Sequence, residues 1–224
     1  MTSMPGGPEP APAGETLRAR VSRELTAAVV SGELAAGTLV TVPTLAVQFG
    51  VSATPVREAL LELEKRSFVE AVKNKGFRVT EVGSRELAEL AEVRLLLEPP
   101  AMYRLAGHLP AQQAEEFRSL AAAMTTAIAD ADLATWLEAD QRFHLGLTEL
   151  LGNAMLVTVI GDLRGRTRLV GLAGMLASQE LARSAEEHHE LLDRLLTGDA
   201  AGAEALMRTH IGHTVGWWSG RAEE

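Results

Sequence analysis

Cysteine is absent from all 224 residues, so neither a disulfide framework nor a thiolate metal site is available. No apolar run reaches the roughly 20 residues needed to cross a bilayer, so no membrane association is expected. The stretch through Gly14 is rich in proline, glycine and alanine and has no apolar signal-peptide core. A soluble, cytoplasmic protein is expected, with residues 1–14 a disordered tail. Positive charge is in deficit as well, the net being -9. The deficit is uneven. Residues 15–80 hold nine Lys/Arg against seven Asp/Glu, a net of +2, whereas residues 81–224 hold twelve against twenty-two, a net of -10. The acidic half would repel phosphate, so any nucleic-acid face belongs to the N-terminal half.

What is present begins with a helical face over Leu17, Val21, Leu25, Ala28 and Val29, stopped by Ser31-Gly32. Thr44 to Phe49 supplies a short helix. Gly50-Val51-Ser52-Ala53-Thr54-Pro55-Val56-Arg57-Glu58-Ala59-Leu60 then reads as a tight turn that opens a second one. Gly50 can take φ > 0, Ser52 or Thr54 can cap, and Pro55 is tolerated in a first helical turn. Arg57 falls in the second turn, where a basic side chain reaches a base edge or phosphate. The runs 68–72 and 77–79 are rich in β-branched and aromatic residues, and Lys73-Asn74-Lys75-Gly76 between them holds turn formers: two strands with a basic tip. This is the grammar of a winged helix-turn-helix over residues 15–82.

The run Gly50-Val51-Ser52, Thr54-Pro55-Val56-Arg57-Glu58-Ala59-Leu60, Leu63-Glu64 and the Gly76 wing resembles the GntR superfamily of bacterial transcription factors. The resemblance implies double-stranded DNA as partner, with Ser52, Thr54, Arg57, Lys73, Lys75 and Gly76 at the interface. Two positions depart from the family pattern: Ala53 stands where an arginine is usual, and Pro43 where a charged residue is common. Fewer base or phosphate contacts are then available, so the usual operator sequence is not carried over.

After the wing, Leu87, Leu90, Ala91, Val93, Leu97 and Ala101 indicate a long helix, with a kink expected at Pro99-Pro100. Helices over about 111–129, 132–151, 153–176, 179–197 and 199–218 are expected to follow. Gly152-Asn153 and Gly198-Asp199 act as stop-then-start signals. No strand pattern interrupts them, so the fold class is mainly α: a winged helix-turn-helix followed by an all-α antiparallel bundle over residues 83–219. Its size and order resemble the six-helix type of FCD effector domain in the FadR subfamily.

One stripe of the 132–151 helix reads Leu133, Leu137, Asp140, His144, Leu147, Leu151. A carboxylate and an imidazole one turn apart on a core face need partners, since buried polar groups are costly unless satisfied. His188 shares a face with Leu181, Leu191, Leu192 and Leu195, and His210 one with Leu206 and His213; His189 points towards Glu186 and Asp193, as a rim residue would. Asp140, His144, His188 and His210 together suit a divalent ion, Zn²⁺ foremost with Ni²⁺ or Mn²⁺ as alternatives. An internally hydrogen-bonded cluster without metal fits the same spacing. The set also matches the motif of metal-binding FCD domains: Asp-x-x-x-His, a His after Glu, and a His in the last helix. Arg94, Arg164, Arg166 and Arg168 lie on bundle helices, and Arg94, Arg164 and Arg168 are candidates for binding an anionic effector. For Tyr103 and Trp217-Trp218, core packing is expected.

The reading is a transcriptional regulator, expected to repress, that acts as a homodimer on a palindromic operator and responds to a small carboxylate bound at the metal. A metal-dependent hydrolase or lyase is the alternative. Against it, the leucine seam offers no spare carboxylate to act as a base, and an attached DNA-binding domain would have no purpose.

Overall fold

The computed structural model describes residues 16–167 and 180–215. Helix α1 (Leu17–Val30) is capped by Thr16, whose hydroxyl accepts from the Ala19 N–H, and it buries Val21, Leu25 and Val29. Leu17, counted with that face in the sequence, belongs to the first turn and is more than half exposed. Helix α2 (Val42–Phe49) begins two residues before Thr44, because Thr41 caps it and Pro43 is accommodated in the first turn, where an N–H has no helical partner. Gly50 ends α2 in the left-handed region at φ 63°, the conformation expected of it. Helix α3 (Ala53–Lys65) follows with Ser52 at its N-cap position, although no side chain closes that cap. Val56, Ala59, Leu60 and Leu63 of α3 pack into the core.

The strands are β2 (Val69–Val72) and β3 (Gly76–Val79), antiparallel as expected, with a third that the sequence did not announce. That third strand, β1 (Leu39–Val40), pairs Leu39 with Arg78 and Val40 with Phe77, giving the order β1-β3-β2. Its close passage explains Gly76: a Cβ there would stand 2.3 Å from the Val40 carbonyl oxygen, and φ is 129°.

Among the described residues the bundle comprises α4 (Ser84–Leu105), α5 (Ala111–Ala129), α6 (Leu133–Glu149), α7 (Ala154–Thr167), α8 (Glu180–Thr197) and α9 (Ala200–Val215). Asn153 and Asp199 cap as their positions suggested, accepting from the N–H groups of Leu156 and Gly202. Helix α4 runs unbroken through Pro99 and Pro100. The expected extensions of α7 to 176 and α9 to 218, the tail 1–14, Arg168 and Trp217-Trp218 lie outside the described residues. Helix α4 packs along α7 and α9, α5 along α6 and α8, and α6 also against α1 of the winged unit. A second junction forms at Gly165 of α7, where a Cβ would lie 2.6 Å from the carbonyl oxygen of Arg66, the residue that caps α3.

Candidate functional site

Of the residues expected at a DNA interface, Ser52 stands at the N-cap of α3, Thr54 and Arg57 lie in its first two turns, and all three are exposed, as are Lys73 and Lys75 at the tip between β2 and β3. Gly76, grouped with them in the sequence, is half-buried beneath β1 and acts on the wing's backbone.

In the bundle, α6 carries Asp140 and His144 one turn apart on its buried face, between Leu137 and Leu147. Helix α8 brings His188 and α9 brings His210 to the same point, so that one ligand atom from each of the four lies within 4.8 Å of the others. The Nε2 atoms of His144 and His188 are 3.0 Å apart, and they stand 3.4 and 3.1 Å from Asp140 Oδ1. Donors that share one ion at about 2.0–2.1 Å sit about 3 Å from each other, so the three spacings fit a common divalent centre. His189 is partly exposed and outside the cluster, as its helical position implied.

Protonation state fits a ligand role as well. Burial first, then the Arg164 guanidinium, drives His144 well below its ordinary value and His188 down to about 4. His210 falls to about 3, again chiefly through burial, against the partial support of its hydrogen bond to Glu187. All three imidazoles are neutral near pH 7 and offer lone pairs. His188 donates Nδ1–H to the Ser184 carbonyl at 2.7 Å, which leaves its lone pair on Nε2 facing the cluster.

These shifts predict how the metal-free protein responds to acid. His188 and His210 titrate at about 4 and 3 when folded against an ordinary 6.5, so between pH 6.5 and 4 the unfolded chain binds protons that the folded chain refuses. Stability must then fall as pH falls, by roughly 2 kcal/mol per imidazole between pH 7 and 5. Glu187, lowered to about 2, adds a loss that begins only below its ordinary 4.5. Urea unfolding of chelator-treated protein at pH 7 and 5 measures this, and equal midpoints would refute it.

Of the arginines singled out in the sequence, Arg164 reaches the cluster through Asp140, and Arg94 meets it on their shared partner Glu98. Arg94 Nε and Arg164 Nη1 each donate to Glu98 at 2.6 Å, Arg94 Nη1 donates to the Thr167 hydroxyl, and Arg164 Nη2 donates to Asp140 Oδ2 at 3.1 Å. Burial opposes ionisation of Glu98, but Arg94 and then Arg164 outweigh it and hold the carboxyl well below the usual range. Arg166 pairs instead with Glu86 beside the winged unit. Sequence reasoning missed Glu98 and Glu187. Glu98 had a signal: Leu87, Leu90, Ala91, Arg94, Glu98, Ala101 and Leu105 form a buried stripe of α4 with two charges in it, the same anomaly that exposed Asp140 and His144. These carboxylates stand beside the seam on α4 and α8, but Glu98 is held by two guanidiniums and Glu187 by His210 and His213, so neither is a poised base.

Comparison with known proteins bears on both halves. Residues 17–79 match the family described as bacterial regulatory proteins, gntR family, and residues 89–213 match the FCD domain. A probable D-xylose utilization operon transcriptional repressor of Paenarthrobacter nicotinovorans is 30% identical over 196 residues, 88% of this chain and 86% of that protein. An HTH-type transcriptional regulator in an unstable DNA locus of Streptomyces ambofaciens is 28% identical over 198 residues, covering 88% and 83%. Among solved structures, Escherichia coli McbR/YncC superposes with a TM-score of 0.67 at 27% identity, over 90% of this chain and 96% of that one.

Proposed function

Since this chain belongs to the GntR family of bacterial transcriptional regulators and carries an FCD domain, we propose that a small organic acid, bound at a divalent ion held by Asp140, His144, His188 and His210, controls its affinity for an operator. The observation that carries the reading is the convergence of one buried carboxylate and three neutral imidazoles from three helices. When bound, the ion supplies a Lewis-acidic centre with positions left for an anionic ligand. Charge favours such a ligand. Glu98 and Asp140 are already paired with guanidiniums, so a divalent cation on Asp140 adds positive charge beside Arg164, which an anionic ligand offsets. Because Glu98 already occupies both arginines, the effector's carboxylate is assigned to the ion, and Arg164 to holding Asp140. The output follows the chain: Arg164 touches the ligand Asp140, and its neighbour Gly165 seats the carbonyl that ends α3. The family is one of regulators, and the relative from Paenarthrobacter nicotinovorans is named a repressor; repression is proposed here too.

The homodimer is proposed to form along α4. Val93, Leu96, Pro100 and Tyr103 follow the helical three-four spacing and are all exposed, Leu96 by 70%, and the neighbouring α7 adds Met155 and Val159. Tyr103, expected in the core, is half exposed in this row. A net charge of +2 on the winged half gives weak attraction to DNA, and pairing two such heads on a two-fold operator multiplies it.

The test is operator binding beside sedimentation. Arg57→Ala is expected to weaken binding by about 1–3 kcal/mol and to leave the dimer intact, as for a lost base contact. Leu96→Glu is expected to give monomers that bind about as weakly as one head alone. Unchanged affinity in the first variant or a retained dimer in the second would refute the corresponding part.

A further inference from the structure

Glu187 lies immediately before the candidate ligand His188 but turns to the opposite helix. Its Oε2 accepts from Nδ1–H of His210 and its Oε1 from Nε2–H of His213, each at 2.7 Å. Both imidazoles are on α9, so a single carboxylate from α8 clamps two turns of the neighbouring helix. His213 is buried to 2% exposure, and the Glu187 side chain to 14%. Glu187 itself is outside the set of groups whose ligand atoms converge.

We infer that Glu187 is the positioning residue of the metal centre: it fixes the tautomer and ring orientation of His210, and His213 holds Glu187 in place. This role rests on the metal centre proposed above. By accepting a hydrogen bond from Nδ1–H, the carboxylate leaves the His210 lone pair on Nε2, whose ring stands 4.8 and 5.1 Å, centroid to centroid, from those of His188 and His144. Without that acceptor the imidazole is free to place its proton on Nε2, which closes it to an ion. An adjacent carboxylate also raises the basicity of a ligating imidazole and offsets part of the ion's charge. His188 receives the same service from the Ser184 carbonyl, so two of the three imidazoles are oriented from α8. Neither of these acceptors belongs to the segment that supplies the ligands Asp140 and His144.

The experiment compares the full-length parent with Glu187→Gln and His213→Leu, loaded with Zn²⁺ against a chromophoric chelator and with Co²⁺ for its visible spectrum. Glu187→Gln is expected to weaken Zn²⁺ about 10- to 100-fold and to change the Co²⁺ absorption, both read at a temperature where parent and variant are folded. His213→Leu, which leaves Glu187 bonded to His210, is expected to cost less. Parent-like affinity and spectrum in Glu187→Gln would overturn the inference and leave the metal centre standing. A parent that binds neither ion would sink the metal reading itself. Should Glu187→Gln not fold, Glu187→Asp carries the same comparison, because it keeps the charge and shortens the reach to His210; unaltered Zn²⁺ affinity there would overturn the inference too.

Discussion

Replacing His144 by alanine is expected to abolish the divalent ion and with it any stabilisation that the ion brings. His144 is 2% exposed, its Nε2 stands 3.0 Å from that of His188, and its removal takes one of four converging donors away. An ion that binds only the folded chain stabilises by the logarithm of its excess over Kd, about 4 kcal/mol at a thousandfold excess. For a chain of this length that corresponds to a melting temperature about 10 °C higher with metal than without. The parent should show that increment, and His144→Ala should show none. Truncating a buried ring also leaves a cavity beside Phe143, whose ring packs on those of His144 and His188, so the metal-free variant is expected to melt below the metal-free parent. His189→Ala, on the partly exposed side of α8, should keep both the ion and the increment. Elemental analysis and melting with and without Zn²⁺ check all three proteins, and equal metal content throughout would refute the ligand assignment.

The sequence exposed this centre because a period of 3.6 makes polar residues conspicuous when they fall on an apolar stripe. Asp140 and His144 interrupt leucines, and His188 sits among Leu181, Leu191, Leu192 and Leu195; in the structure each is buried. The same logic was available for Arg94 and Glu98, but an arginine and a glutamate four residues apart read equally well as a solvated surface pair. What distinguished them was the identity of their partners on α7, 66 and 73 residues away in sequence, which no local pattern encodes. Glu187 was hidden for a related reason: it belongs to Glu186-Glu187, next to two histidines, and only the placement of α9 selects it over its neighbour. Strand β1 is two residues long, too short for alternation to show, and it exists because Gly76 lets the Val40 carbonyl approach β3. The turn at Gly50, by contrast, was legible because its conformation depends on one residue type.

Arg164→Met is expected to have the largest effect on folding. Arg164 is 2% exposed and bonds both Glu98 and Asp140, so it neutralises a carboxylate on α4 and another on α6 from a third helix, α7. Methionine fills part of the volume but takes the guanidinium away from two buried carboxylates, and breaking a buried ionic set by removing one partner costs about 3–5 kcal/mol. The loss should be larger in the metal-free protein than in the loaded one, because a divalent ion on Asp140 returns the missing positive charge next to that carboxylate. Zn²⁺ is therefore expected to raise the melting temperature of Arg164→Met by more than it raises that of the parent. Arg94→Met is the control: it bonds Glu98 and Thr167 and has no hydrogen bond to Asp140 among those described, so it should destabilise without enlarging the increment. Calorimetric melting of the three proteins, with chelator and with Zn²⁺, decides the matter. A metal-free Arg164→Met that melts with the parent would show that the network does not hold α4, α6 and α7 together. An increment no larger than the parent's would show that the ion and the guanidinium do not share Asp140.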